Sequence, residues 1–300
     1  MSTHPESDVT ETEFTVDFTA VIDEHPIRFY LFCVTALALC FLCHLILTAS
    51  SEHDLHEEAY RYIDYHSDLP NELIETFIDL DSSHELDLIL TNLSDFPIEL
   101  IELSIKNHET IPFVSNYLHY ISGETAPASV TQSTLAEDIP LFLQWDPAWG
   151  YSLYGDTFMA LTGCAPTVVA MAVAALTDDD SIDPRLVADY AEASNFYVDG
   201  VGTSWDLIHT GLHNFGLDSE ELPLTASAIL QTLAAGDLII VSVAPGTFTQ
   251  TGHFLLLTGV TENNMITIHD PNSEENSSIL WPVDVFLNET KNLWRVSAIN

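Results

Sequence analysis

Leu161-Thr-Gly-Cys-Ala-Pro-Thr167, continued by the Ala-rich apolar run Val168 to Leu176, is the stretch on which the fold of this chain turns. Gly163 permits a sharp entry, and Pro166 suits a first-turn position where no N–H is needed. The Ala-rich run has high helical propensity. Thr177 and Asp178-Asp-Asp180 then stop the helix. The 300 residues contain four cysteines. Three of them, Cys33, Cys40 and Cys43, lie in one apolar segment near the N-terminus, so Cys164 has no disulfide partner in its own compartment. A cysteine at a helix start meets partial positive charge and unpaired N–H groups, which favour the thiolate. Free cysteine also serves as a small buried hydrophobe, so Cys164 becomes a candidate nucleophile only in company.

That company lies far downstream. A nucleophilic thiol needs a base, and the base needs an orienting group. Thr251-Gly-His-Phe-Leu-Leu-Leu-Thr-Gly259 and Met265-Ile-Thr-Ile-His-Asp-Pro-Asn-Ser273 are apolar and β-rich, with a polar Thr261-Glu-Asn-Asn264 turn between them. The two segments are expected to pair as antiparallel neighbours. If Gly259 pairs with Asn264, His253 lies opposite Asp270; if Val260 pairs with Met265, it lies opposite Asn272. Residues 270 and 272 share a face, so either register sets a carboxylate or carboxamide beside the imidazole. Taken singly, His253 could be a strand-end histidine bonded to a turn carbonyl, and Asp270-Pro271 an ordinary turn. Together with an isolated thiol at a helix start they match a thiol–imidazole–orienter arrangement. Upstream, Gln144 in Pro140-Leu-Phe-Leu-Gln-Trp-Asp-Pro-Ala-Trp149 supplies a side-chain amide able to donate to a developing oxyanion.

The order Gln-Trp-Asp-Pro-Ala-Trp, Tyr-Gly-Asp, Gly-Cys-Ala-Pro-Thr-Val-Val-Ala-Met, Gly-Thr-Ser-Trp, Gly-His-Phe-Leu-Leu-Leu-Thr-Gly and His-Asp-Pro-Asn-Ser resembles the double-glycine-leader-peptidase-like family of papain-fold cysteine peptidases. Those proteins are stand-alone relatives of the peptidase domains on bacteriocin-exporting transporters, and the resemblance runs over roughly residues 138 to 298. It implies Cys164 as nucleophile, His253 as general base, Asp270 as the orienting acid and Gln144 as oxyanion donor. It also implies an α+β fold, a helical half with the cysteine packed on an antiparallel β half with the histidine and aspartate. The implied activity is a thiol hydrolase acting on peptide or other amide bonds, with peptide or protein substrates, no cofactor and no metal. Acyl transfer uses the same residues. A rival from another class is a noncatalytic peptide-binding or surface-interaction module on the same scaffold. No ATP-binding cassette or Walker loop accompanies the domain, so cleavage after Gly-Gly is not implied.

The remainder of residues 138–300 is expected to be scaffold. Asp183-Pro184 to Ala193 is an amphipathic helix, Gly202-Thr-Ser-Trp-Asp206 caps a helix through Leu212, and Asp237 to Ala244 is an apolar strand. Trp205 reads as a core or capping aromatic, with a place lining the substrate groove as the alternative.

Residues 27–49 are almost wholly apolar and long enough to span a hydrocarbon core of about 30 Å. The preceding tail, residues 1–26, is long and acidic rather than short and basic, which favours an uncleaved transmembrane signal anchor over cleavage after the Thr48-Ala49-Ser50 region. Arg28 is the only Lys or Arg in the first 60 residues and favours a cytoplasmic N-terminus. The expectation is a single-pass cell-membrane protein with its catalytic domain extracellular. Cys33, Cys40 and Cys43 are expected to pack within the span. Residues 50–121 show apolar residues at helical spacing and form a helical stalk region, with Ser51 to Tyr65 as a polar helix start. Residues 122–137, rich in Ser, Thr, Ala and Pro, form a linker.

Against 46 Asp plus Glu stand only 6 Lys plus Arg, a formal charge of −40. Phosphate contacts require cations, so nucleic-acid binding is disfavoured, as is adhesion to anionic lipid. Such a surface repels itself and is stabilised by screening ions. His53, His56, Glu57 and His66 fit no zinc-ligand pattern and read as a solvated face.

Overall fold

A computed structural model describes residues 26–123, 138–177, 179 and 181–299. The acidic N-terminal tail and nearly all of the expected linker lie outside the described residues. The chain divides between Glu58 and Ala59 into two compact units.

In the first unit the apolar segment is helical. It belongs to a helix that runs without interruption from Pro26 to His66, and no proline or glycine falls between Ile27 and His66 to break it. The polar stretch Ser51 to Tyr65 therefore continues this helix instead of starting a new one. The helix is long and apolar enough, by length and composition, to cross a membrane.

The second unit opens with short amphipathic helices at Asn71–Ile78, His84–Thr91 and Ile98–Lys106, followed by Ile111–Ser115 and Tyr117–Ser122. Pro70 and Pro97 fix the backbone ahead of the first and third, and the Ser83 hydroxyl accepts the Leu86 N–H ahead of the second. Their buried faces follow the helical period, with Ile74, Phe77 and Ile78, then Leu86, Ile89 and Leu90, then Leu100, Ile101, Leu103 and Ile105. Phe113 stacks on Tyr151 with ring centroids 4.2 Å apart, and the Tyr151 hydroxyl donates to the Phe113 carbonyl. These helices thus pack within the same compact unit as the Cys164 helix.

That helix spans Cys164–Thr177, and its residues from Ala165 to Val173 are all buried. On one side it packs against Val187, Ala188 and Ala191 of helix Pro184–Ala193, whose first turn is capped by Asp183. On the other it lies across a six-stranded antiparallel sheet. Two small hairpins, β1 (Leu153–Tyr154) with β2 (Thr157–Phe158) and β3 (Tyr197–Val198) with β4 (Gly202–Thr203), flank the helical half. The sheet contains β5 (Leu217–Glu221), β6 (Leu238–Val243), β7 (His253–Val260), β8 (Met265–His269), β9 (Trp281–Pro282) and β10 (Thr290–Ala298), in the order β5-β10-β6-β7-β8-β9. Leu238, Ile240, Phe254, Leu256, Trp294 and Val296 face the cysteine helix. The alternate residues Ile239, Val241, Leu255, Leu257, Ile266 and Ile268 pack under helices Ala226–Ala234 and Val283–Glu289 through Ile229, Leu233 and Phe286. Burial on both faces explains why β6 is an unbroken apolar run except for Ser242.

One scaffold element is shorter than its sequence suggests. The helix after Gly202-Thr-Ser-Trp205 covers only Asp206–His209, and a 3-10 turn over Gly211–Phe215 follows. Gly211, a weak helix former, stands where the run breaks, and a Cβ there would lie 3.0 Å from the Phe196 ring. Trp205 is partly exposed, donates from its indole N–H to Ser242 Oγ at 3.1 Å and meets Trp294 edge-on.

Candidate active site

Cys164 enters its helix from a tight corner. Helix Met159–Thr162 ends at Gly163, whose N–H bonds back to the Met159 carbonyl at 2.8 Å. A Cβ on Gly163 would come within 2.5 Å of that carbonyl oxygen, so the corner requires glycine for space. The thiol is half-buried at the edge of the core.

β6 ends, β7 begins and β8 ends at one end of the sheet, and this is where His253 and Asp270 lie. Val243 of β6 pairs with His253. Between β7 and β8 the register is Leu256↔His269 on the site side and Gly259↔Thr267 on the turn side, with a bulge between Leu257 and Gly259. Extended past the strand ends, the site-side register sets residue 253 opposite residue 272. The chain nevertheless leaves β8 in a tight turn closed by an Asp270↔Ser273 bridge, and this turn brings the Asp270 carboxylate to the imidazole. His253 Nε2 lies 2.7 Å from Asp270 Oδ1. Of the two residues that the sequence left open, Asp270 makes the contact. Asn272 instead donates its backbone N–H to the same Oδ1 at 2.9 Å.

His253 and Asp270 are only 7% and 1% exposed. Buried charge is tolerated when each lone pair finds a donor. Asp270 Oδ1 accepts from His253 and Asn272, and Oδ2 accepts from Asn276 Nδ2 at 2.8 Å. Since Nε2 is engaged by Asp270, Nδ1 is the ring atom left for another partner, and the Cys164 sulfur is near enough to influence the charge of the imidazole. Burial opposes the imidazolium. The charge and hydrogen bond of Asp270, with smaller contributions from Cys164, outweigh it and push His253 up to about 10.

Gln144 is 4% exposed and is fixed at both ends. Its backbone N–H donates to the Pro271 carbonyl, beside Asp270, and its side-chain Nε2 donates to the Ala160 carbonyl, in the helix ahead of Cys164; both distances are 2.7 Å. The second N–H of that amide remains for another acceptor. Gln144 Oε1 is buried without a partner among the described residues. Tyr154 lies close enough to feel the Cys164 sulfur, and burial raises its phenol far above the ordinary value. Its hydroxyl pairs with Thr203 Oγ1 at 2.8 Å.

Several residues that surround the carboxylate went unnoticed in the sequence. Asn276 and Ser277 hold Asp270 through its side chain and its backbone N–H, and Trp145 donates its indole N–H to the Asn272 carbonyl at 3.0 Å. The Ser-Glu-Glu-Asn-Ser run after Asp270 was a visible source of such donors. His269 Nδ1 lies 3.2 Å from the Pro140 carbonyl, and burial lowers this histidine to about 4, against a partial pull upward from that bond.

A helix that starts at a cysteine and crosses an antiparallel sheet bearing a histidine and an aspartate at one end is the layout of papain-like cysteine peptidase folds. Residues 136–298, more than half of the chain, match the Peptidase_C39 like family, and the chain belongs to that family. No curated protein matches the chain.

Proposed function

We propose that the protein is a membrane-anchored thiol hydrolase that cleaves peptide or other amide bonds, with Cys164 as nucleophile, His253 as general base, Asp270 as its orienting partner and Gln144 as oxyanion donor. The observation that carries this reading is the bond of His253 Nε2 to the buried Asp270 carboxylate, which leaves Nδ1 for Cys164, the only thiol in residues 138–300. In the reaction, the Cys164 proton rests on His253 Nδ1, and the sulfur attacks as thiolate the carbonyl carbon of the substrate. The oxyanion is met by the free N–H of the Gln144 amide together with a backbone N–H of the first helical turn. The His253 imidazolium then gives its proton to the leaving amine as the C–N bond breaks, which leaves a thioester on Cys164. Water, deprotonated by His253, attacks the thioester and releases the acid with the thiol restored. Asp270 keeps the imidazolium stable and its tautomer fixed throughout.

The motif order also favours kinship with double-glycine leader peptidases, a kinship that does not by itself imply cleavage after Gly-Gly. The helix from Pro26 supports a membrane anchor, and the Arg28 bias favours a domain outside the cell. Residues 138–300 are the peptidase domain.

The test is thiol reactivity together with peptide turnover. Iodoacetamide labels Cys164 faster than an ordinary thiol, His253→Ala abolishes the excess, and Cys164→Ser stops cleavage of a peptide library. Labelling no faster than a free thiol would establish the noncatalytic binding module instead.

A further inference from the structure

The turn that carries Asp270 is gripped from outside the family-matched region. Asn107 and Glu109 lie at the 3-10 turn His108–Thr110, which follows helix Ile98–Lys106. Asn107 Nδ2 donates to the Asn272 carbonyl at 2.6 Å, the same oxygen that receives the Trp145 indole. Glu109 engages the turn with both carboxylate oxygens. Oε1 accepts the Ser273 hydroxyl, and Oε2 accepts the backbone N–H groups of Glu274 at 2.7 Å and Glu275 at 3.2 Å. The two clasp residues are also tied together, because Asn107 Oδ1 accepts the Glu109 N–H at 3.1 Å.

The contacts form a continuous relay to the Asp270 carboxylate. Ser273 Oγ, held by Glu109, accepts the Asn276 N–H at 3.0 Å, and Asn276 Nδ2 in turn donates to Asp270 Oδ2. Asn272, held by Asn107, donates its own N–H to Asp270 Oδ1. Both carboxylate oxygens of Asp270 therefore depend on groups that residues 107 and 109 hold in place. A polar network in which each member is satisfied fixes one geometry, whereas a network missing a member does not. Partners behind a site's reactive groups commonly set their orientation.

On the reading that Cys164, His253 and Asp270 form the reactive centre, we propose that Asn107 and Glu109 are positioning residues, through which the helices ahead of the peptidase domain hold Asp270 against His253. The site is then completed by a segment that lies outside residues 136–298.

The full-length chain in detergent is tested with the near-isosteric variants Glu109→Gln and Asn107→Asp. Glu109→Gln replaces an accepting oxygen with an amide, and Asn107→Asp sets an oxygen against the Asn272 carbonyl. Alkylation of Cys164 by iodoacetamide is followed by peptide mapping across pH, with folding monitored by circular dichroism. Each variant is expected to slow alkylation at neutral pH about tenfold, the size of one lost charge-assisted hydrogen bond, and to displace the pH profile. In an Asp270→Asn background the added Glu109→Gln change should cost less than about twofold, because both act through one carboxylate. Unchanged rates and profiles in folded variants, or full additivity with Asp270→Asn, overturn the proposal. Should Glu109→Gln fail to fold, Asn107→Asp decides alone. If His253→Ala slows alkylation while the clasp variants do not, only the clasp is wrong; if His253→Ala has no effect, the reading of the centre itself fails.

Discussion

Replacing Asp270 by asparagine removes one charge while keeping the shape of the side chain. The amide oxygen can still receive the His253 and Asn272 donors, and Asn276 can turn its own amide to meet the new NH2 group, so the tautomer of His253 is retained. What is lost is the field. Opposite unit charges about 4 Å apart attract by about 4 kcal/mol at an effective dielectric constant of about 20, close to three decades in a protonation constant. That agrees with the rise of His253 from 6.5 to about 10, achieved against burial. Without the charge the imidazole should deprotonate near its ordinary value. At pH 8.5 the imidazolium fraction then drops from nearly all to about 1%, and peptide cleavage, which needs that proton for the leaving amine, falls about 100-fold. The assay is kcat/KM from pH 5 to 10.5 on a substrate selected from a peptide library, which locates the alkaline limb. A limb that stays within about half a pH unit of wild type in folded Asp270→Asn protein would refute the reasoning.

Other perturbations separate the remaining roles. Gln144→Ala should lower kcat about 100-fold, while Cys164 alkylation, which builds no oxyanion, changes by less than about twofold; equal losses in both would show that Gln144 acts on the thiol. His269 is protonated in the unfolded chain near 6.5 but resists protonation to about 4 when folded. Stability present above pH 6.5 is therefore lost as pH falls toward 4, by about 1.4 kcal/mol per pH unit. His253 adds no slope there, being protonated in both states, and its own stabilising contribution is instead lost as pH rises from 6.5 to about 10. Urea unfolding at pH 4.5 and 7 should show the slope flattened in His269→Gln, and an unchanged slope counts against this assignment. The charge of −40 predicts a melting temperature that climbs with added salt; a flat response in a thermal-shift assay removes the screening argument.

Local chemistry made much of the framework readable. The entry glycine, first-turn proline and alanine run mark the Cys164 helix, and two apolar segments around a polar turn mark β7 and β8. The choice between Asp270 and Asn272 was not readable, because it depends on a bulge after Leu257 and on the turn closed by Ser273. No residue-level pattern announces either feature. Helical spacing located the helices at Asn71, His84 and Ile98, yet their partner was invisible, since the hydrogen bonds of Asn107 and Glu109 to residues 272–275 join distant parts of the chain. Thr210 and Gly211 are compatible with one helix through Leu212, yet the helix ends at His209 and a 3-10 turn follows.

The separation along the chain of Cys164 from the strands that bear His253 and Asp270 has a biosynthetic consequence. A ribosome exposes the sulfur well before the imidazole emerges, and antiparallel pairing between remote segments forms slowly compared with a local helix. Until those strands emerge and pair, Cys164 lacks the neighbours that the fold gives it. The neighbourhood of Cys164, His253 and Asp270 is therefore a late product of translation, present only once tertiary assembly is complete.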